Sequence, residues 1–244
     1  MQPDEERPAY VLHARPYRET SMLLDVLVLG LGRVGCIARA VRGPRAAGKR
    51  ALLQPLQPLH VRLAGQGELA HLQAFEAAGG AIRLVGDALL AALYLNELTV
   101  RLLPKGEAVD RYFLSYAQAL GALEQGRSTA ATLRRVEYAL LNDSGLLPSV
   151  EVDVQGRRLA PEQWYRFDPE CGVEPLAKPP AGPNASAIRG VALLSLGQEL
   201  ELGAEDARAL RQLMRQIIER QLGGQSLKSW RLLSELQSLR APRA

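Results

Sequence analysis

The chain has 244 residues, 47% hydrophobic and 23% charged, which is ordinary globular composition with room for a large core and one or two domains. With 30 basic against 26 acidic residues the net charge is only +4, so any preference for polyanions has to come from how charge is distributed. Cys36 and Cys171 are too few for a disulfide framework, the first residues are acidic where a signal peptide would be basic, and the apolar runs are too short or interrupted to span a bilayer. These features lead us to expect a soluble, cytoplasmic protein without membrane segments.

Residues 1 to 7 read as a polar tail. From Ala9 the pattern is β-like. Tyr10–Ala14 is a short strand closed by Pro16, and Met22–Leu29 is a second, apolar enough to be covered on both faces. Val34–Val41 makes a third. Leu56–Ala64 and Glu68–Phe75 make a fourth and fifth, joined by the hairpin signal Gly65-Gln66-Gly67. Five short strands in about eighty residues suit a small closed barrel such as an OB-fold, and an SH3-like barrel gives the same signal. Strand count alone does not separate them.

The character changes at Gly79-Gly80. Ala88–Leu103 is predicted as a helix that is apolar nearly all round, with Asp87 as N-cap, Glu97 and Arg101 one turn apart, and Pro104 as its stop. Further helices are expected over Val109–Leu123 and from Ser128 or Thr129 to Leu141. Residues 146–186 are proline-rich and irregular, with short strands possible at Val150–Val154 and Trp164–Phe167. Helical signals return over Ala187–Leu196. Glu205–Leu222 is an amphipathic helix with a Gly223-Gly224 C-cap, and Ser226 opens a final helix to about Leu236. The fold class is therefore α+β. An N-terminal OB-type barrel (1–80) precedes a mainly helical domain (81–244) carrying an irregular insert.

Charge is distributed very unevenly along this chain. Between Asp25 and Glu68 there is no acidic residue, while Arg33, Arg39, Arg42, Arg45, Lys49, Arg50 and Arg62 all lie in that span. The strand at Val34 runs into a basic, glycine-containing loop, Arg42–Arg50. A one-signed strand and exit loop attract polyanions, and we read Arg33, Arg39, Arg42, Arg45, Lys49 and Arg50 as a nucleic-acid surface. Arg39 and Arg42 have opposite parity, so a bend or the strand's end has to bring them to one side. In the helical half, Arg134, Arg135 and Lys228 border apolar stripes and suit an acidic peptide with a hydrophobic end.

Catalytic signals are weak. His13, His60 and His71 match no metal spacing. Gly30-Leu31-Gly32-Arg33-Val34-Gly35 has the G-x-G-x-x-G spelling but is followed by basic, β-like sequence and no βαβ unit. Cys36 sits among apolar strand residues, which favours a structural thiol over a nucleophile facing His60. No catalytic residue is assigned, and a binding protein is expected. A nuclease or Cys36-dependent hydrolase and an RNA-binding barrel are the competing readings.

The stretches Val11–Ser21, Gly32-Arg33-Val34, Ala38–Arg42, Leu52–Leu56, Gly65–Leu69, Leu93–Leu98, Leu133–Glu137 and Leu222–Ser229 follow one another along nearly the whole chain, and in that order they resemble the RecO family of bacterial DNA repair proteins. The resemblance implies a recombination mediator with an N-terminal OB-fold. Such a protein binds single- and double-stranded DNA, anneals complementary strands and helps load RecA onto strands coated by single-strand-binding protein. It also implies RecR as partner and docking of the acidic C-terminal tail of single-strand-binding protein on the helical domain. By position, Arg33, Arg39, Arg42 and Arg50 match the family's DNA-facing residues, and Arg134 with Arg135 falls in the motif tied to tail docking. Some members carry a four-cysteine zinc site in the irregular segment. Here that segment holds only Cys171, so no zinc or other cofactor is expected. Trp230 stands where the family usually has arginine. The barrel's aromatics are few (Tyr10, Tyr17 and Phe75), which implies binding dominated by phosphate contacts and steeply salt-dependent.

Overall fold

The computed structural model describes residues 5–65, 69–179, 187–198 and 200–232. Strands β1 (Arg7–Tyr17), β2 (Ser21–Val28), β3 (Gly32–Ala38), β4 (Pro58–Ala64) and β5 (Ala70–Ala77) close into a barrel in the order β1-β2-β3-β5-β4, with β4 returning to β1. β3 and β5 run parallel, and the other neighbours are antiparallel. This order is the Greek-key connectivity of an OB-fold and decides between the two barrels that strand count leaves open. Alternate residues fill the interior, among them Val11, Leu24, Val26, Cys36, Ala38, Leu59, Val61 and Leu72. Closure pairs every barrel strand on both sides over at least part of its length.

β1 runs through Pro16 rather than stopping before it. β4 pairs only with Arg7–Tyr10, so Pro16 lies where the strand has a neighbour on one side and its missing N–H costs nothing. The expected Gly65-Gln66-Gly67 turn extends into residues 66–68, outside the described residues. The segment expected as a basic loop is instead a 3-10 turn (Pro44–Ala46) running into helix α1 (Ala47–Leu52). Leu52 and the fully buried Leu53 anchor this helix to the barrel core, an apolar pull that outweighs Gly43, Pro44 and Gly48 as breakers.

Helices α2 (Gly86–Leu102) and α3 (Asp110–Glu124) join the barrel in one compact unit, Met1–Thr129 with Leu227–Ala244. Asp87, expected as an N-cap, lies inside the first turn of α2, where its charge still suits the helix dipole; Val85 holds the cap position. A register shift in β1 between Val11 and His13 frees the Leu12 carbonyl, which accepts a 2.9 Å hydrogen bond from the Asn96 amide of α2. The Tyr116 hydroxyl of α3 donates to the Asn96 oxygen at 2.5 Å, so this buried amide is satisfied at both ends. Tyr10 packs its ring 5.6 Å from Phe113 and 5.2 Å from Tyr116.

The second compact unit is Ala130–Ser226. Helix α4 (Thr129–Asp143) leads into a segment that is less irregular than its prolines suggest. It contributes β6 (Trp164–Asp168) and β7 (Gly172–Pro175) to a sheet of order β7-β6-β8. Val150–Val154 is not a strand: Asp153 turns the chain by accepting the backbone N–H groups of Gln155 and Arg157. The helix expected from Ala187 begins as strand β8 (Ala187–Arg189), because pairing with β6 buries Ile188; helix α5 (Gly190–Leu194) follows. Helix α6 (Ala204–Gln221) buries Leu210, Leu213, Met214, Ile217 and Ile218. It closes with the expected glycine cap, Gly224 donating to the Glu219 carbonyl and Gly223 to that of Arg220.

Residues 228–232 are helical, and the described chain ends there. The Lys228 and Ser229 N–H groups each donate to the Glu97 carboxylate at 2.8 Å, and Trp230 stacks on Tyr94. Burial works to raise the Glu97 carboxyl, but these two backbone donors and Arg101 outweigh it and hold it below its ordinary value of 4.5. A depressed carboxyl contributes stability above its unfolded value and loses it as pH falls through the folded one. Amide protection at Lys228 and Ser229 should therefore be level from pH 7 down to the ordinary carboxyl range and fall only below it, as pH passes through the depressed value. Hydrogen exchange read by NMR checks this. Protection already lost at pH 6, or rising as the pH falls below 5, contradicts it.

Candidate nucleic-acid interface

Strand alternation divides the outer wall formed by β1, β2 and β3 into rows. In one row Tyr10 stands opposite Leu27, and Leu27 opposite Arg33. Leu27 is fully buried although alternation turns it away from the barrel core, and Tyr10 lies under α3. This end of the wall is covered. In another row Arg15 stands opposite Leu23, and Leu23 opposite Ile37, which pairs with His71 across β5. Here Arg15 and His71 are exposed and Leu23 and Ile37 partly so. That end of the wall is open.

Arg33 belongs to the covered end. Its Nε donates to the Leu103 carbonyl at 2.8 Å, one terminal nitrogen meets Asp25 at 3.2 Å, and its side chain is only 15% exposed. The turn before it is held by the same segment. Asp110 accepts the Gly30 N–H at 2.8 Å, the Arg33 carbonyl accepts the Gly106 N–H at 2.9 Å, and a Cβ on Gly32 would sit 1.7 Å from the Glu107 carbonyl oxygen. Glycine at position 32 is therefore required by close backbone approach, not by a phosphate.

Arg39 and Arg42 follow the end of β3 beside the open end, and Arg45, Lys49 and Arg50 lie on the 3-10 turn and α1 beyond it. β3 stops at Ala38 and Ala40 turns the chain with φ +53°, so Arg39 and Arg42 lie past the strand and its alternation does not fix their sides. The Val41 and Arg42 N–H groups both donate to the Thr20 carbonyl, and an Arg42 terminal nitrogen donates to the Arg18 carbonyl at 2.8 Å. These bonds fasten the chain leaving β3 to the β1–β2 turn. Arg39, Arg45, Lys49 and Arg50 are exposed and Arg42 partly so. Arg62, from the same acid-free span, pairs with Glu6 at 3.3 Å.

Arg15 and Arg18 join this end of the barrel, although they precede Asp25 and so fall outside the acid-free span. Their signal in the sequence is the Arg15-Pro16-Tyr17-Arg18 part of the first family-like stretch. Arg18 takes φ +51° in the turn, a conformation that glycine adopts without strain, and sets its guanidinium 5.2 Å from the centre of the Tyr17 ring.

The helical candidates sit differently. Arg134 and Arg135 share α4, whereas Lys228 belongs to the first compact unit. Arg134 is 15% exposed and bonds the fully buried Glu137 at 2.5 Å, so its charge is engaged within α4. Arg135 is partly exposed and Lys228 exposed.

Cys36 is completely buried, and burial, followed by the charge of Asp25, pushes its thiol up to about 12. It is a packed side chain, protonated at neutral pH, and unsuited to act as a nucleophile. Among the described residues no group of three or more His, Cys, Asp or Glu is placed to hold a metal ion, and no helix is long and apolar enough to cross a membrane.

Two sequence models of one family cover the chain: Recombination protein O N terminal matches residues 1–80, and Recombination protein O C terminal matches residues 83–231. The chain belongs to the RecO family. It is similar to the DNA repair protein RecO of Stenotrophomonas maltophilia (strain R551-3), 41% identical over 95% of this chain and 97% of that protein. The RecO proteins of Xanthomonas oryzae pv. oryzae (strain PXO99A) and Xanthomonas euvesicatoria pv. vesicatoria (strain 85-10) are 41% and 40% identical over the same shares. RecO membership places the chain in recombinational DNA repair, with the open barrel wall as its candidate interface.

The two ends of the wall should respond oppositely to truncation. Arg33→Ala removes charge-assisted bonds from a mostly buried guanidinium and should lower unfolding free energy by about 1.5–3 kcal/mol. Arg39→Ala should leave it within about 0.5 kcal/mol. Urea melts of both variants decide; equal stability losses would mean the division is misplaced.

Proposed function

We propose that this RecO-family chain is a recombination mediator that binds single- and double-stranded DNA through the open wall of its barrel and anneals complementary strands. What supports this reading is the exposure of Arg15, Arg18, Arg39, Arg45, Lys49 and Arg50 and the bond from Arg42 to the β1–β2 turn, beside the uncovered row of an OB-fold wall. OB-folds use this face and the adjoining loops for oligonucleotides. Arg33 acts here as a positioning residue that fixes the Gly30–Arg33 turn.

Annealing needs no catalytic group. Two phosphate backbones repel each other, and a cationic surface lowers that barrier while leaving base edges free to pair. The barrel, residues 1–80, is the DNA-binding domain in this reading, and residues 81–244 recruit proteins. From the family resemblance, RecR is the partner, RecA loading is the outcome, and the C-terminal tail of single-strand-binding protein docks on the helical half. Arg134 and Arg135 of α4 are both partly exposed candidates for that tail, Arg134 being ion-paired with Glu137, and Lys228 is a candidate in the other unit. The chain acts in the cytoplasm, at the nucleoid, and is not an enzyme.

One annealing assay tests these roles together. Complementary strands, bare or coated with single-strand-binding protein, should anneal faster with the wild-type chain while their lengths stay unchanged in magnesium. Arg39→Glu/Arg42→Glu should lose this acceleration, weaken DNA binding at least ten-fold and lower the salt slope by about 1.5–2. A coat protein lacking its acidic tail should abolish acceleration on coated strands only. Full acceleration by the charge-reversed variant, or shortened strands, would overturn the reading.

A further inference from the structure

The barrel holds three aromatic side chains, and two are committed to packing. Tyr10 is wedged against Phe113 and Tyr116, and Phe75 packs against the barrel core. Tyr17 is different. It is the last residue of β1, pairs with Ser21 across the turn, and stays partly exposed at the uncovered end of the wall. Alternation puts it on the same side of β1 as the exposed Arg15, beyond Pro16. The Arg18 guanidinium lies over its ring at 5.2 Å, and the Arg18 carbonyl is the anchor for Arg42.

We propose that Tyr17 is a base-stacking platform, braced on one face by Arg18, and that it gives this phosphate-binding surface its discrimination of single strands from duplex. The inference rests on the DNA-binding role proposed above and names the contact that role lacks. An aromatic ring stacks on any unpaired base because every base presents a π-face, whereas bases in a duplex are already stacked on one another. Cations on the wall neutralise phosphates of either nucleic acid form equally well. Of the barrel's three Tyr and Phe side chains, Tyr17 is the one placed at this end, where a stacked ring responds to whether bases are paired. The left-handed turn at Arg18 fits the same role. Glycine would relieve the backbone at φ +51°, but only a long cationic side chain braces the ring.

The test uses the full chain, fluorescent oligonucleotides of one length (single-stranded, duplex, and a single strand with abasic sites throughout), and anisotropy over a range of salt. Tyr17→Ala should bind the normal single strand about ten-fold more weakly, with duplex affinity and the salt slope unchanged. Tyr17→Phe should retain wild-type affinity for all three. Wild type should bind the abasic strand about as weakly as Tyr17→Ala binds the normal one, and Tyr17→Ala should no longer distinguish the two strands. Single-strand affinity unchanged in Tyr17→Ala, or an equal loss on duplex, overturns the proposal while leaving DNA binding by the wall intact. Failure of the wild-type chain to bind any of the three removes the underlying reading instead.

Discussion

A closed barrel whose strands carry apolar residues on both faces has to have part of its outer surface covered. Tyr10, Leu12 and Leu27 are such residues here, and the α2–α3 pair with its connecting segment covers them. This covering is fixed by bonds that tolerate little change: the Asn96 amide satisfied at both ends, the Arg33 guanidinium on the Leu103 carbonyl, and the close passage of Glu107 over Gly32. Buried polar groups matched in this way specify one docking geometry, because displacing any of them leaves an unsatisfied partner. The consequence reaches the other end of the wall, about 20 Å along β1, which the helices leave open for a ligand.

Charge follows the same division. Cations under the cover are matched by acceptors of the protein itself, Arg33 by Asp25 and a carbonyl. At the open end the guanidinium of Arg42 meets a main-chain oxygen, and the side chains of Arg39, Arg45, Lys49 and Arg50 reach solvent. Among the described residues no ion pair engages these side chains, and such a set on a low-dielectric wall draws a polyanion from a distance. Arg18 meets Arg42 through its carbonyl and the Tyr17 ring through its guanidinium.

Much of this was legible in the sequence, for identifiable reasons. Short β-like runs bounded by turn residues located all five barrel strands, and the glycine pair after α6 located its end, because both signals are local in the chain. Strand order was not legible: the β3–β5 parallel pairing that distinguishes an OB-fold leaves no local trace. The α1 helix was hidden because Leu52 and Leu53 hold it through barrel contacts that its glycines and proline argue against. β8 was hidden because Ile188 is committed by pairing with β6. Among the cations, the run from Arg33 to Arg50 looked uniform. Only the fold shows that Arg33 is enclosed while Arg15 and Arg18, earlier in the chain, face the same open region as Arg42.

The central claim is that the barrel wall is functionally split, one end given to the protein's own helices and the other to nucleic acid. Amide hydrogen exchange with and without a saturating single strand tests it directly. The account predicts new protection over residues 15–23 and 38–50, with residues 10–13, 30–33 and 103–110 unchanged. Protection centred on 30–33 and 103–110, with the β1–β2 turn unaffected, would contradict it.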